Sequence, residues 1–140
     1  MGHLEMGNAF AAAINAQQWD TVANYLADDF IWSGGSAGTQ NKQGFLAAEK
    51  AWFAAVPDYR LTWTNAREDG NAVHGTTGVS GTQTKPLALP SMPQLPATGK
   101  HFAASFPTKV SWRGDKIAAI ELGESSKPTL LEQLGVQLPG

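Results

Sequence analysis

Apolar side chains recur at helical spacing through the first part of the chain and alternate along most of the rest. In NAFAAAINA, Phe10, Ala13, Ile14 and Ala16 fall on one helical stripe. QQWDTVANYLADDF repeats the pattern with Trp19, Val22, Ala23 and Leu26, so the chain should open with two short helices. FIWSG has the content of a short strand, ended by GGSAG. NKQGFLAAEKAWFAAV predicts a third helix with Phe45, Ala48, Trp52 and Val56 near one face. Pro57 ends it, because the residue before a proline disfavours helix.

Beyond Pro57 the period changes to two. YRLTWTNARE, AVHGTTGVSGTQT, KHFAASFPTKVSW and KIAAIELGE predict strands, with EDGN and RGDK as hairpin turns. KPLALPSMPQLPATG must be a loop, since proline cannot donate in a ladder. Its stretch 86–96 is long for a hairpin connection, which suggests a lid. SKPTLLEQLGV predicts a short closing helix over 127–135. The order α-α-β-α followed by a β-meander implies an α+β domain with helices on one face of a sheet.

Hairpin turns allow cross-strand partners to be counted. With Gly114–Asp115 as the turn, Trp112 faces Ile117, Val110 faces Ala119 and Thr108 faces Glu121. Trp112, Val110, Phe106, Ile117, Ala119 and Glu121 then share an apolar face, and Ser105, Lys109, Ser111, Arg113 and Lys116 the polar one. With Asp69–Gly70 as the other turn, Asn65 faces His74 and Trp63 faces Thr76, so Leu61, Trp63, Asn65 and His74 share a face. A bulge at Gly75, Gly78, Gly81 or Pro107 would slip either count.

Composition narrows the chemistry. The 140 residues suit one domain, and 42% are hydrophobic, enough for a real core. A net charge of −2 without a basic block argues against nucleic acid. The absence of cysteine excludes disulfides, thiol nucleophiles and zinc–thiolate sites. No apolar run approaches the ~20 residues of a membrane span, and no signal peptide is visible, so a soluble, cytoplasmic protein is expected. MGHLEM admits two origins, a vector-derived leader with the native start at Met6, or native sequence.

Two residues stand out as candidate chemistry. Glu121, placed on an apolar face, would have its carboxyl pushed up toward neutral pH, which suits general acid–base work. His74 could partner it, since imidazole titrates near pH 7. The bland alternatives are a carboxylate near the strand's end, bonded to Thr108 or a backbone N–H or facing solvent at the sheet rim, and a histidine bonded to Asn65 or to water. His101 falls on the polar face. Asp28–Asp29 fit a solvated helix exit, because adjacent side chains point apart. The Arg-Gly-Asp triplet at 113–115 is explained by its hairpin. GTTGVSG lacks the Lys-Ser/Thr ending of a phosphate loop. No spacing suggests a metal site, and no Gly-x-Ser-x-Gly elbow is present. Most of Trp32, Trp52, Trp63 and Trp112 are expected in the core, though so many tryptophans with few polar groups also describe the wall of an apolar ligand pocket.

NAQQWDTVANYLADDFIW resembles the opening of the nuclear-transport-factor-2-like superfamily, and NKQGFLAAEKAWFAAVPDYRLTW its third helix and first long strand. GTQTK, LPATGK, RGDKIAAIEL and TLLEQLGV, in that order, resemble the SnoaL-like polyketide cyclase branch. The resemblance covers nearly the whole chain. It implies a cone-shaped, strongly bent antiparallel sheet packed on three N-terminal helices (a cystatin-like α+β barrel), a deep pocket, and homodimers formed through the sheet's outer face. It does not fix an activity, because one fold hosts many. The general base of ketosteroid isomerases would fall near Gly34, their tyrosine donor near Phe10 and their protonated acid near Thr108, so steroid isomerisation is not expected. The Asp-Arg-Asp cluster of limonene epoxide hydrolases has no counterpart. Gln83 stands where many relatives have His, and Leu122 then Ser126 where many have Trp and Asp.

The expected protein is a pocket for a hydrophobic small molecule, with cofactor-free cyclase, isomerase or hydrolase-like lyase chemistry. Glu121 and His74 would be catalytic; Trp32, Trp63, Phe106, Thr108 and Trp112 would line the pocket. No metal or cofactor is expected. A carrier without chemistry and a structural dimerisation module fit the same residues.

Overall fold

The structure, a computed structural model, describes residues 2–34, 38–89 and 94–123. The expected closing helix over 127–135 lies outside these residues. Helix α1 spans His3–Asn15 and α2 spans Trp19–Tyr25. Phe10, Ala13 and Ile14 of α1 are buried on the stripe their spacing predicts. Helix α3, Lys42–Ala55, starts at Asn41, whose side chain accepts the Gly44 N–H at 2.9 Å. It ends at Ala55, with Val56 as the cap immediately before Pro57.

Six strands form one curved open sheet in the order β2-β1-β6-β5-β4-β3. They are β1 Leu26–Ser33, β2 Gln40–Asn41, β3 Arg60–Asp69, β4 Ala72–Thr82, β5 His101–Arg113 and β6 Lys116–Leu122. Every pairing is antiparallel except β1 with β6, which run parallel. The helices cover the inner face, and one core cluster runs from Phe10 of α1 through Phe45 and Trp52 of α3 to Val110 and Ile120 of the sheet. The α+β architecture therefore follows the predicted element order.

Two local expectations change. Strand β1 begins at Leu26, so Asp28 and Asp29 lie in a strand and not at a helix exit. Asp29 takes a two-pronged contact from Arg113, at 3.0 and 3.2 Å. That guanidinium holds the Asp29 carboxyl below its ordinary range. The first long hairpin turns at Gly70–Asn71, one residue later than counted, because Asp69 pairs with Ala72. Of the loop after β4, residues 90–93 lie outside the described part, and its two described arms are packed and tied. Leu87 and Leu89 are 0% and 4% exposed, and Leu87 bridges Leu95. Buried Gln83 ties both arms, donating to Lys85 O and Pro96 O and accepting from Thr98 Oγ1.

Two bulges set which side chains face inward. In β6, Trp112 pairs with Ile117 but Ser111 pairs with Ala119, leaving Ala118 as an extra residue. In β3, Asn65 and Ala66 together oppose Gly75, and Asn65 adopts φ 56°, a left-handed conformation suited to the bulge.

Candidate functional site

Between α1, α3 and the inner face of the sheet lies a cavity of about 100 Å³. Alternation along β5 places Phe106, Thr108, Val110 and Trp112 on its wall. Trp32 comes from β1 and Trp63 from β3. Thus the five residues expected to line a pocket, Trp32, Trp63, Phe106, Thr108 and Trp112, meet around one space.

Glu121 and His74 do not face it. The extra residue at Ala118 rotates the end of β6, so Ile120 points inward and Glu121 outward. Glu121 stands opposite Lys109 rather than Thr108, with Oε2 4.0 Å from Nζ, and its side chain is 54% exposed. A period of two makes this unavoidable: one inserted residue exchanges the faces. The later turn places His74 opposite Arg67 instead of Asn65, and the β3 bulge beyond that pair exchanges the face it would otherwise share with Trp63. His74 Nε2 lies 3.9 Å from Asp69 Oδ2. Glu121 and His74 do share a shallow groove on the outer face, with Arg67 and Lys109, but it is open to solvent and apart from the cavity. The environment that would have tuned Glu121, an apolar wall, is absent there.

The cavity has a different acid. Glu49 of α3 is 5% exposed, and its Oε2 is buried with no hydrogen-bond partner among the described residues. Loss of water raises its carboxyl from 4.5 to about 7. Its position on α3 explains the burial: Glu49 comes four residues after Phe45 and three before Trp52, on the helix's core stripe. That spacing was the available signal. A glutamate amid AAEKAW blends with the polar helix face, and only its angle relative to Phe45 and Trp52 distinguishes it from Lys50, which is exposed.

Tyr59, at the far end of the aromatic wall, stacks on Trp52 with ring centroids 5.9 Å apart. Burial, and then the charge of Glu49, push its phenol well above 10, so it stays protonated. Thr108 Oγ1 donates to Phe106 O at 3.0 Å, so in the 2.7 Å contact between the two threonine hydroxyls Thr77 is the donor. The indole Nε1 atoms of Trp63 and Trp112 are buried without partners among the described residues. The cavity thus joins one carboxyl, poised to lose or hold a proton near neutral pH, to N–H groups able to receive an oxygen. Such a set can move a proton at carbon and steady the developing negative charge. Among the described residues, no cluster of three or more His, Cys, Asp or Glu side chains is placed to hold a metal ion. No described helix is long and apolar enough to cross a membrane.

Residues 8–120 match the SnoaL-like domain. No curated protein matches the chain. Among solved structures, TsrD from Streptomyces laurentii is 21% identical, with a TM-score of 0.74 over 94% of this chain and 93% of that one. IdmH from Streptomyces antibioticus, a candidate polyketide cyclase, is 21% identical, with a TM-score of 0.72 over 94% and 97%. A cystatin-fold protein from Novosphingobium aromaticivorans is 27% identical, with a TM-score of 0.63 over 89% and 99%.

Proposed function

The chain belongs to the SnoaL-like domain family, and on that premise we propose that it is a cofactor-independent acid–base enzyme acting on a small hydrophobic carbonyl compound, with Glu49 as the proton carrier. The observation that carries this reading is the buried Glu49 carboxyl, whose Oε2 has no partner among the described residues and which is raised to about 7 by loss of water. A base of that strength is half-ionised at neutral pH, where general catalysis is most effective. In the ionised form, Glu49 takes a proton from the carbon next to the carbonyl, and the electron pair moves onto the carbonyl oxygen as an enolate. Return of the proton to another carbon gives isomerisation; attack of the enolate carbon on a second carbonyl gives ring closure, with the proton passed to the new alkoxide. Similarity to a candidate polyketide cyclase agrees with chemistry of this type.

The test is hydrogen–deuterium exchange at the α-carbons of small cyclic ketones in D₂O, followed by NMR. The native chain should accelerate exchange with a midpoint near pH 7. Glu49→Gln should lose about 10²–10⁴-fold while remaining folded. Equal exchange in the two proteins would remove Glu49 from the chemistry. Saturable binding of the ketones without any exchange would favour the carrier reading, which the almost wholly apolar wall also supports.

A further inference from the structure

Trp63 and Trp112 differ from ordinary core tryptophans in the state of their N–H groups. An indole N–H can only donate, and burying one without an acceptor is costly. Both Nε1 atoms are nevertheless buried and unpartnered among the described residues, and both side chains line the cavity. The hydroxyl hydrogens nearby are already engaged, that of Thr108 with Phe106 O and that of Thr77 with Thr108 Oγ1. The packing around Trp63 confines its ring. A β-carbon at Gly75 would stand 2.7 Å from its Cη2, and one at Gly7 would stand 3.3 Å from its Nε1. Two glycines, on β4 and on α1, therefore make room for the ring and for its N–H. Trp112 stacks on the His3 ring, with centroids 4.9 Å apart and 7° between planes.

Volume limits what can lie against these donors. An apolar cavity of ~150 Å³ takes up benzene. At about 100 Å³ this one is smaller, which limits its ligand to no more than a single small ring and leaves it far short of a fused polycycle.

We infer that Trp63 and Trp112 form the oxygen-recognising end of the cavity, and that its ligand is a hydrophobic molecule of about one six-membered ring whose carbonyl oxygen accepts their indole N–H groups. The inference rests on the proposed acid–base reading for the identity of the oxygen as a carbonyl. It assigns the two tryptophans to ligand orientation and specificity, with Glu49 left free to act on the carbon beside that carbonyl.

The experiment uses the full chain labelled with ¹⁵N, in which five tryptophans give five indole signals. Trp63→Phe and Trp112→Phe assign two of them. Cyclohexanone and methylcyclohexane, nearly equal in size, are titrated in turn. Cyclohexanone should move the Trp63 and Trp112 indole protons downfield, and methylcyclohexane should not. Each Trp→Phe variant should bind cyclohexanone about ten-fold more weakly and methylcyclohexane almost unchanged. If a variant fails to fold, the native titration alone decides. Unmoved indole signals with cyclohexanone bound, equal affinity for the two probes, or binding of neither would each overturn the inference. The outcomes separate from those for Glu49. Indole shifts that persist in Glu49→Gln, with no α-exchange in either protein, would retain this assignment and reject the catalytic one. Exchange that depends on Glu49 without indole shifts would do the reverse.

Discussion

The indole of Trp63 lies against Gly75 on the neighbouring strand, so close that a β-carbon there would be 2.7 Å from Cη2. Gly75 is the residue opposite the β3 bulge, so the bulge, the glycine and the ring form one local arrangement. Gly75→Ala must displace the ring. It should cost about 1–3 kcal/mol in urea unfolding, the usual range for overpacking, and shift the Trp63 indole signal. Unchanged stability with an unmoved Trp63 signal would show that the contact carries no constraint.

Glu49 should make stability depend on pH in a defined direction. Its carboxyl titrates near 7 when folded, against 4.5 ordinarily. Between those values the folded chain keeps a proton that the unfolded chain has released, so stability is greatest below about pH 4.5 and falls as pH rises through 7. The loss attributable to this one group approaches roughly 3 kcal/mol by about pH 8. Glu49→Gln should therefore match the native chain near pH 5 and exceed it near pH 8. Parallel stability curves for the two proteins would contradict the burial of an ionisable carboxyl at this site.

Glu121→Gln should do little. The partner ammonium of Lys109 is 4.0 Å away, and both side chains are about half exposed, 48% and 54%. Exposed pairs of this kind contribute between zero and about 1 kcal/mol. α-Proton exchange should be unaffected, measured beside Glu49→Gln. A loss of exchange comparable to that of Glu49→Gln would return the catalytic role to the outer face.

Gln83 is fully buried, and its side-chain amide serves Lys85 O, Pro96 O and Thr98 Oγ1. Gln83→Leu leaves those groups without their partner and should cost about 2–4 kcal/mol, summed over several lost bonds. Protease cleavage within 84–100 should accelerate with it. Cutting the loop short at Leu87 and Leu89 should likewise lower the melting temperature, since both leucines belong to the core. A loop that could be shortened at no cost would instead behave as the lid its length suggests.

Much of the architecture was legible because periodicity is a local property. Phe10, Ala13 and Ile14 mark the buried stripe of α1 whatever surrounds them, and Phe106, Val110 and Trp112 mark the inner face of β5 by alternation alone. The RGDK turn places Trp112 opposite Ile117 by counting, and the structure agrees at that pair. The tryptophans that crowd the cavity were visible as a pocket or a core for the same reason.

What the chain order could not settle was the acid. Register propagates from a turn only until a bulge intervenes, and Ala118 offers no side-chain signal that it is the extra residue. One residue of slip turned Glu121 from the apolar face to Lys109. Conversely, Glu49 sits on the core stripe of α3 by its own spacing. Its lost hydration comes from α1 and the inner sheet closing over that helix, which no local pattern contains. Local spacing thus determined most of the elements and the greasy faces of those without a bulge, such as α1, α3 and β5. Which carboxyl is dry depended on contacts between residues distant in the chain, because desolvation is set by everything that surrounds a group in space.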